Sequence, residues 1–386
     1  MHSSTHTRQR RGFALAMSLL AIVLIGAMVA GGYMAGIQYY RIGRNSLVEE
    51  RALSATELGL DSAYALWNKS WNTQTTGTVT TLSYAAANGS WVDTVRITKL
   101  NQLSSLIVSE GRAGGYGTPL SARRRVAMIV VLNMPKVNQL GALTSRGTVT
   151  IGGSTAISGN DTSLAGWNCP TAGSGVAGVA VPSFSNLAWG GSCAGGTCIQ
   201  GSPLVSISPA ANDTNTYFSY GTMKWPQLVA MADKSVSGTL THVRASTLSS
   251  GGTTVCATSV NTNWGDPNRA TPSGACESYF PVVYAPGDIS INGDQGQGVL
   301  LVNGNLSIQG GFTFYGQIIV RGTVKLTGTG NHVYGGVMAA TVVDSTDASK
   351  LSGNSSIRYS RCAVTSVFLN SAMGSRAPQR SWIELF

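Results

Sequence analysis

The side chains with the most chemistry in this chain are six cysteines: Cys169, Cys193, Cys198, Cys256, Cys276 and Cys362. An even number, behind an apolar anchor, suits disulfides formed in an oxidising compartment. Cys193 and Cys198, in C-A-G-G-T-C, can close a small loop, and Cys256 with Cys276 a second. Spacing alone leaves 15 pairings open. Zinc is the competing chemistry, but CxxC is absent and His2, His6, His242 and His332 are isolated. Asp288, Asp294, Asp344 and Asp347 supply carboxylates for an acid pair or a Ca²⁺ site. No G-G-x-G-x-D repeat accompanies them, and G-x-S-x-G, H-E-x-x-H and P-loop patterns do not occur. No enzyme activity and no cofactor are predicted; Ca²⁺ alone stays open.

Composition points away from a soluble enzyme. Charged residues are 11% of the 386, against about 25% in an average domain. With 48 glycines and 43% hydrophobic residues, the profile is that of a β-rich extracellular protein with many turns, not of a disordered chain. The net charge of +10 is spread thinly. It can draw DNA non-specifically, but no interleaving of aromatic and basic residues predicts a nucleic-acid site. The run Arg123, Arg124, Arg125 reads as a phosphate contact or as a solvated strand start.

Everything else hangs on the amino-terminal stretch. Residues 13–37 contain no charged side chain over 25 positions. As a helix they extend roughly 37 Å, enough to cross a bilayer. Apolar residues then continue at helical spacing (Ile42, Leu47, Val48, Leu53, Leu58, Leu60, Leu66), with charged ones between. No proline precedes Pro119, so one helix over 13–67 is predicted, lipid-like first and domain-packed second. The leader before it is short and basic, with Arg8, Arg10 and Arg11, and it ends in Gly12 just before the apolar run. That order differs from a secretion signal, whose apolar core precedes a small-x-small cleavage site. A plain signal anchor remains an alternative.

RRG followed by FALAMSLLAIVLIGAMVAG resembles the class III signal of type IV pilins and pseudopilins. The resemblance implies that a prepilin peptidase cuts between Gly12 and Phe13 and that Phe13 is then N-methylated. The fifth mature residue in that family is Glu; here it is Met17. Major pilins use that Glu for register with a neighbour, and its absence is shared with PilX-type minor pilins and K-type pseudopilins. ALSATELGLDSA at 52–63 is similar to the stretch that follows the apolar segment in PilX-type proteins. GVLLVNGNLSIQG, FTFYGQIIVRG and TGNHVYGGVMAA resemble the carboxy-terminal texture of bacterial proteins with PilX-like amino termini.

Beyond the helix, 68–90 reads as a loop. Strands are predicted at 91–100, 103–110 and 122–132, as a small antiparallel sheet packed on the helix. From 140, and more strongly from 282, short β segments recur every 15–20 residues with turn glycines between them. That is the mark of stacked rungs. Alternation turns Ile289, Ile291, Leu300, Val302, Leu306, Ile308, Ile318, Val320, Val324 and Leu326 inward. The expected fold is therefore α+β and mainly β: a long amino-terminal helix, a small antiparallel sheet, and a parallel β-solenoid-like domain, with a β-sandwich as alternative. The expected divisions are a leader at 1–12, the helix at 13–67, the small sheet at 68–135, first rungs at 136–163, a cysteine-containing loop-rich insertion at 164–281 and the solenoid-like domain at 282–386. The insertion includes a helix at 225–234, and 371–386 is an end cap or a returning segment.

Two function classes follow. One is a minor pilin-like subunit held in the inner membrane, then assembled with other pilin subunits through its helix, at the tip or in priming. In this reading it displays its β-rich part outside the cytoplasm, towards an unknown surface or polymer ligand. The other is a membrane-anchored adhesin outside any filament. A type II secretion pseudopilin is a further alternative.

Overall fold

The computed structural model describes residues 13–114, 121–167, 169, 172–269, 271, 274–341, 349–378 and 382–385. One helix, α1 (Phe13–Ala65), runs for 53 residues without interruption, roughly 80 Å at the usual rise. Its buried positions are Ala52, Ala55, Thr56, Gly59, Leu60 and Ala63, all in the second half. They recur every three or four residues, and all but Leu60 are small, so a sheet can approach the helix backbone closely.

That sheet is antiparallel, with β1 (Val79–Ala85), β2 (Trp91–Asn101), β3 (Ser104–Ala113) and β4 (Ala122–Asn133) in sequential order. Val95, Ile97, Ile107, Val126, Met128 and Val130 point from it towards Leu60, Ala63, Trp67 and Trp71. β1 lies in the stretch expected to be a loop. It sits at the sheet edge with alternate positions half-buried, so β-branched threonines suffice without an apolar run. Past β4, Met373–Arg376 and Trp382–Leu385 return from the far end of the chain and pair antiparallel with it.

The second sheet is parallel and curls around one apolar core. Ile289 pairs with Leu306, 17 positions on; Leu306 pairs with Val324, 18 on; Gln317 pairs with Gly336, 19 on. The parallel register excludes the sandwich. All ten positions expected to face inward lie in this core, with Phe312, Phe314, Val333, Val337, Leu351 and Ile357 extending it.

The order of the rungs is not the order of the sequence. The stack begins at Lys234–Ser235 and Gly238–Val243, then proceeds through Val282–Ala285 to Asn354–Arg358. Strands from earlier in the chain are added beyond that. Leu143 pairs with Val337, Ile151 with Leu351 and Ile157 with Ile357. Ala177–Val181 and Val205–Ile207 follow. After Ile207 the chain must therefore travel back outside the stack to start its other end at Lys234. The returning stretch contributes Tyr217, Tyr220, Met223 and Leu228, which cover an outward apolar row of Val282, Val299, Leu301, Ile319 and Met338. It contains the short helix Trp225–Ala230, within the expected 225–234. Val367 and Phe368, from the helix Arg361–Ser371, complete the cover. Segment 164–281 thus holds strands of the stack as well as its cover. The hairpin Thr247–Ser250 with Thr253–Cys256 lies in the same segment.

Gly298, Gly316 and Gly335 stand in register on successive rungs, with φ of 118°, 140° and 144°. A Cβ on Gly316 would fall 2.0 Å from the carbonyl oxygen of Gly298. Only glycine combines that backbone with that approach. Disulfides join Cys169 to Cys362, Cys193 to Cys198 and Cys256 to Cys276. The two sheets are locked together through Asn72. Its Nδ2 donates to the carbonyls of Leu369 (2.9 Å) and Ala372 (2.8 Å), and its Oδ1 accepts from Trp67 Nε1 (2.8 Å). Lys69 and Asp233 add an ion pair of 2.6 Å between the two parts.

Candidate functional site

The site this architecture builds is the free half of α1. Phe13 is 72% exposed, Met28 74% and Tyr39 76%. None of the most apolar 18-residue window of the helix is buried, and by length and composition this is the one candidate membrane span among the described residues. A soluble monomer rarely leaves so long an apolar surface in water. Met17 is 53% exposed and offers no charge. Gly12 and the rest of residues 1–12, expected to be a leader, with His2 and His6, lie outside the described residues.

The other half of α1 fixes how the rod leaves the globular part. Thr56 Oγ1 donates to the carbonyl of Ala52 (2.7 Å) and accepts from the amide of Gly111 (2.9 Å). Ser109 Oγ lies 2.7 Å from the carbonyl of Thr56 and 2.8 Å from Asp93 Oδ1. Asp93 is 1% exposed, directly beneath Gly59: a Cβ there would fall 1.5 Å from Asp93 Oδ2. Burial pushes its carboxyl up to about 6, against the opposing hydrogen bonds from Ser109 and the Thr94 backbone. Helix and sheet therefore meet through small residues and a short polar network, which holds the rod at a fixed angle.

No family model matches the chain, and no curated protein matches it. Among solved structures the chain is similar to the competence-associated pilin ComZ from Thermus thermophilus, at 13% identity and a TM-score of 0.23, over 88% of this chain and 97% of that one. A likeness of that size carries no weight for fold or function.

The arginine run meets carboxylates on neighbouring elements. Arg124 bridges Glu49 of α1 (2.9 Å) and Glu384 of the last strand (3.2 Å). Arg123 pairs with Glu110, as do Arg112 at 2.8 Å and Arg125 at 3.7 Å. Burial raises the Glu110 carboxyl, but the hydrogen bonds from Arg112 and Arg123 outweigh it and hold the group below its usual range. The run alone did not reveal Glu110, because the partner lies one strand away.

Asp288 and Asp294, the two of the four candidate acids among the described residues, do not assemble into a site. Asp288 Oδ1 accepts from the amide of Asn305 (2.7 Å), capping a turn, and Asp294 sits 3.6 Å from His242. His332 Nδ1 lies 2.8 Å from Ser356 Oγ. Asp344 and Asp347 lie outside the described residues. Among the described residues no group of three His, Cys, Asp or Glu is placed to hold a metal. The sequence did not single out an aromatic ladder along the stack. Trp167 stacks on Tyr315, Tyr315 on Tyr334 (ring centroids 4.9 Å apart), and Arg358 lies over Tyr334. Tyr315, Tyr334 and Arg358 follow one another in register, a spacing visible only once the rungs are aligned.

Proposed function

We propose that this chain is a minor pilin-like structural subunit of the PilX kind, without enzymatic activity. Its leader, residues 1–12, is removed by a prepilin peptidase, and Phe13 becomes the methylated first residue. The mature protein is held in the inner membrane by residues 13–37, with both sheets in the periplasm. It then joins other pilin subunits through that same helix. The observation that carries this reading is the continuous α1, whose free half presents apolar side chains all round while its other half is fixed to a folded headpiece. A rod of this form is stable only where lipid or like rods surround it. Met17 supplies no charge for register within a shaft, which favours a place at the tip or in priming. The β-rich part is then the outward cargo.

Amino-terminal sequencing of the purified chain tests the first step: the expected result is a methylated Phe13. Shearing tests the second: the chain is expected in the sheared filament fraction. An intact leader or a cut elsewhere overturns the proposal. Complete retention in the membrane fraction favours an anchored adhesin. Dependence on a secretion apparatus instead of a pilus favours a type II pseudopilin.

A further inference from the structure

The base of the headpiece carries more positive charge than its carboxylates balance. Three guanidinium groups (Arg112, Arg123 and Arg125) share the single carboxylate of Glu110. Arg112 and Arg123 are also direct cross-strand partners, an arrangement that is unfavourable between like charges. Their side chains remain 45% and 53% exposed. On α1, Arg41 and Arg44 have no acidic partner among the described residues, and Arg44 lies over the Tyr40 ring at 5.6 Å.

All of this charge is at one end of the headpiece. Arg123 and Arg124 line a hollow with Asn45, Val48 and Glu49, so the β3–β4 end of the sheet faces the membrane-proximal part of α1. Arg41 and Arg44 lie about 6 and 10 Å beyond Ile37 along the axis, and Asn45 to Glu49 about 12 to 18 Å beyond it. A bilayer is about 30 Å of hydrocarbon within 40–45 Å overall. Each headgroup layer is thus about 5–7 Å deep, so Tyr39, Tyr40 and Arg41 fall within it, where aromatic and basic residues anchor spans, and Arg44 sits about 3 Å past it, within reach of its own side chain. The headpiece arginines stand roughly 5–11 Å past that layer, a gap that long side chains and helix tilt close in part.

Resting on the membrane-anchored reading above, we infer that Arg41, Arg44, Arg112 and Arg123 form a basic collar that binds anionic phospholipid headgroups while the subunit waits in the bilayer. Such contacts are charge-assisted and bidentate at phosphate. The collar holds the headpiece down on the surface until assembly withdraws the helix.

The test reconstitutes the full chain in nanodiscs of mixed phosphatidylcholine and phosphatidylglycerol, and measures by native mass spectrometry which lipid stays bound. The expected result is retention of phosphatidylglycerol at least about five-fold above its bulk share, the equivalent of one engaged arginine. The quadruple variant Arg41→Gln, Arg44→Gln, Arg112→Gln, Arg123→Gln keeps the Arg125–Glu110 pair and should insert in equal yield with retention at the bulk ratio. Equal retention by the two chains overturns the collar. So does salt-sensitive self-association of the wild type that ignores lipid charge and is lost in the variant, since the arginines then serve a neighbouring subunit. Failure of both chains to insert overturns the membrane anchor itself, which separates that failure from the collar's; failure of the variant alone overturns the collar as a lipid clamp on an already anchored chain.

Discussion

The antiparallel headpiece and the parallel stack bury comparable apolar strands by different means. The headpiece has one covered face. α1 lies on it, the other side is wet, and β2 and β3 alternate accordingly. In the stack the longer face is covered on both sides: Leu300 and Val302 point into the core, while Leu301 lies outward under the returning chain. A strand covered on both sides reads as a continuous apolar run, and VLLV and QIIV are such runs. The headpiece is therefore a local structure that tolerates adjustment at its edges. The stack is set by long-range register and has little room for error.

The sharpest break in that comparison is a side chain in the glycine column. Gly316→Val places a β-branched residue at φ 140° against the Gly298 carbonyl. The expected loss is about 4 kcal/mol or more, which unfolds the stack. Gly287→Ala, in the turn between two strands of the same stack with nothing within 4 Å of its Cβ, is the control and should change stability by less than about 0.5 kcal/mol. Urea unfolding of the detergent-solubilised chain measures both.

Next is the helix side of the headpiece. Gly59→Val forces the Asp93 carboxylate out of its place and should cost about 2–3 kcal/mol, the usual penalty for overpacking. Gly26→Val in the free half meets nothing within 4 Å. It should leave the unfolding midpoint unchanged while impairing recovery in sheared filaments. If both variants alter folding equally, the two halves of α1 are not functionally distinct.

These contrasts also explain what was legible. The apolar rod could be read because helical spacing is local. The packed stripe could not: Ile42, Leu47, Leu58 and Leu66, expected on the domain-packed face, are exposed, and apart from Leu60 the contact falls on the small residues Ala52, Ala55, Thr56, Gly59 and Ala63. The inward residues from Ile289 to Leu326 could be read because strand alternation is local too. Rung order could not: nothing near Leu143 shows that it pairs with Val337, almost two hundred positions away. The cover over Leu301 and Ile319 was hidden for the same reason, so 164–281 read as an insertion. The helix Arg361–Ser371 was not among the expected elements, because β-branched Val364, Thr365 and Val367 weaken its helical signal. Tertiary burial of Val367, Phe368 and Leu369 decides otherwise, with Ser360 Oγ accepting the Ala363 amide at its start. At the site, the rod was visible, but neither Asp93 beneath Gly59 nor Glu110 among its arginines was, because each depends on cross-strand neighbours.

A smaller effect distinguishes the headpiece by pH. The Asp93 carboxyl has its folded value raised to about 6, above the ordinary 3.9 of an unfolded chain. Between about pH 4 and 6 the folded state holds the extra proton, so stability falls as pH rises through that window. The total change is on the order of 3 kcal/mol. Asp93→Asn should abolish the slope and be the more stable form at pH 7. A profile that is flat for both chains would mean the carboxyl is ionised in the fold at no cost.

The smallest expected effect lies where the sheet edge meets α1. Arg124 joins Glu49 and Glu384 at 2.9 and 3.2 Å, but its side chain is 31% exposed and Glu49's 53%. Water screens such pairs, and Arg124→Gln should cost only about 0.5–1 kcal/mol. The backbone pairing of Trp382–Leu385 with β4 does not depend on that charge. High salt should therefore weaken the wild type towards the variant and leave the variant unchanged. A loss above about 2 kcal/mol, insensitive to salt, would show that the last strand is held by this arginine instead of its ladder. The headpiece edge would then be as intolerant of change as the stack.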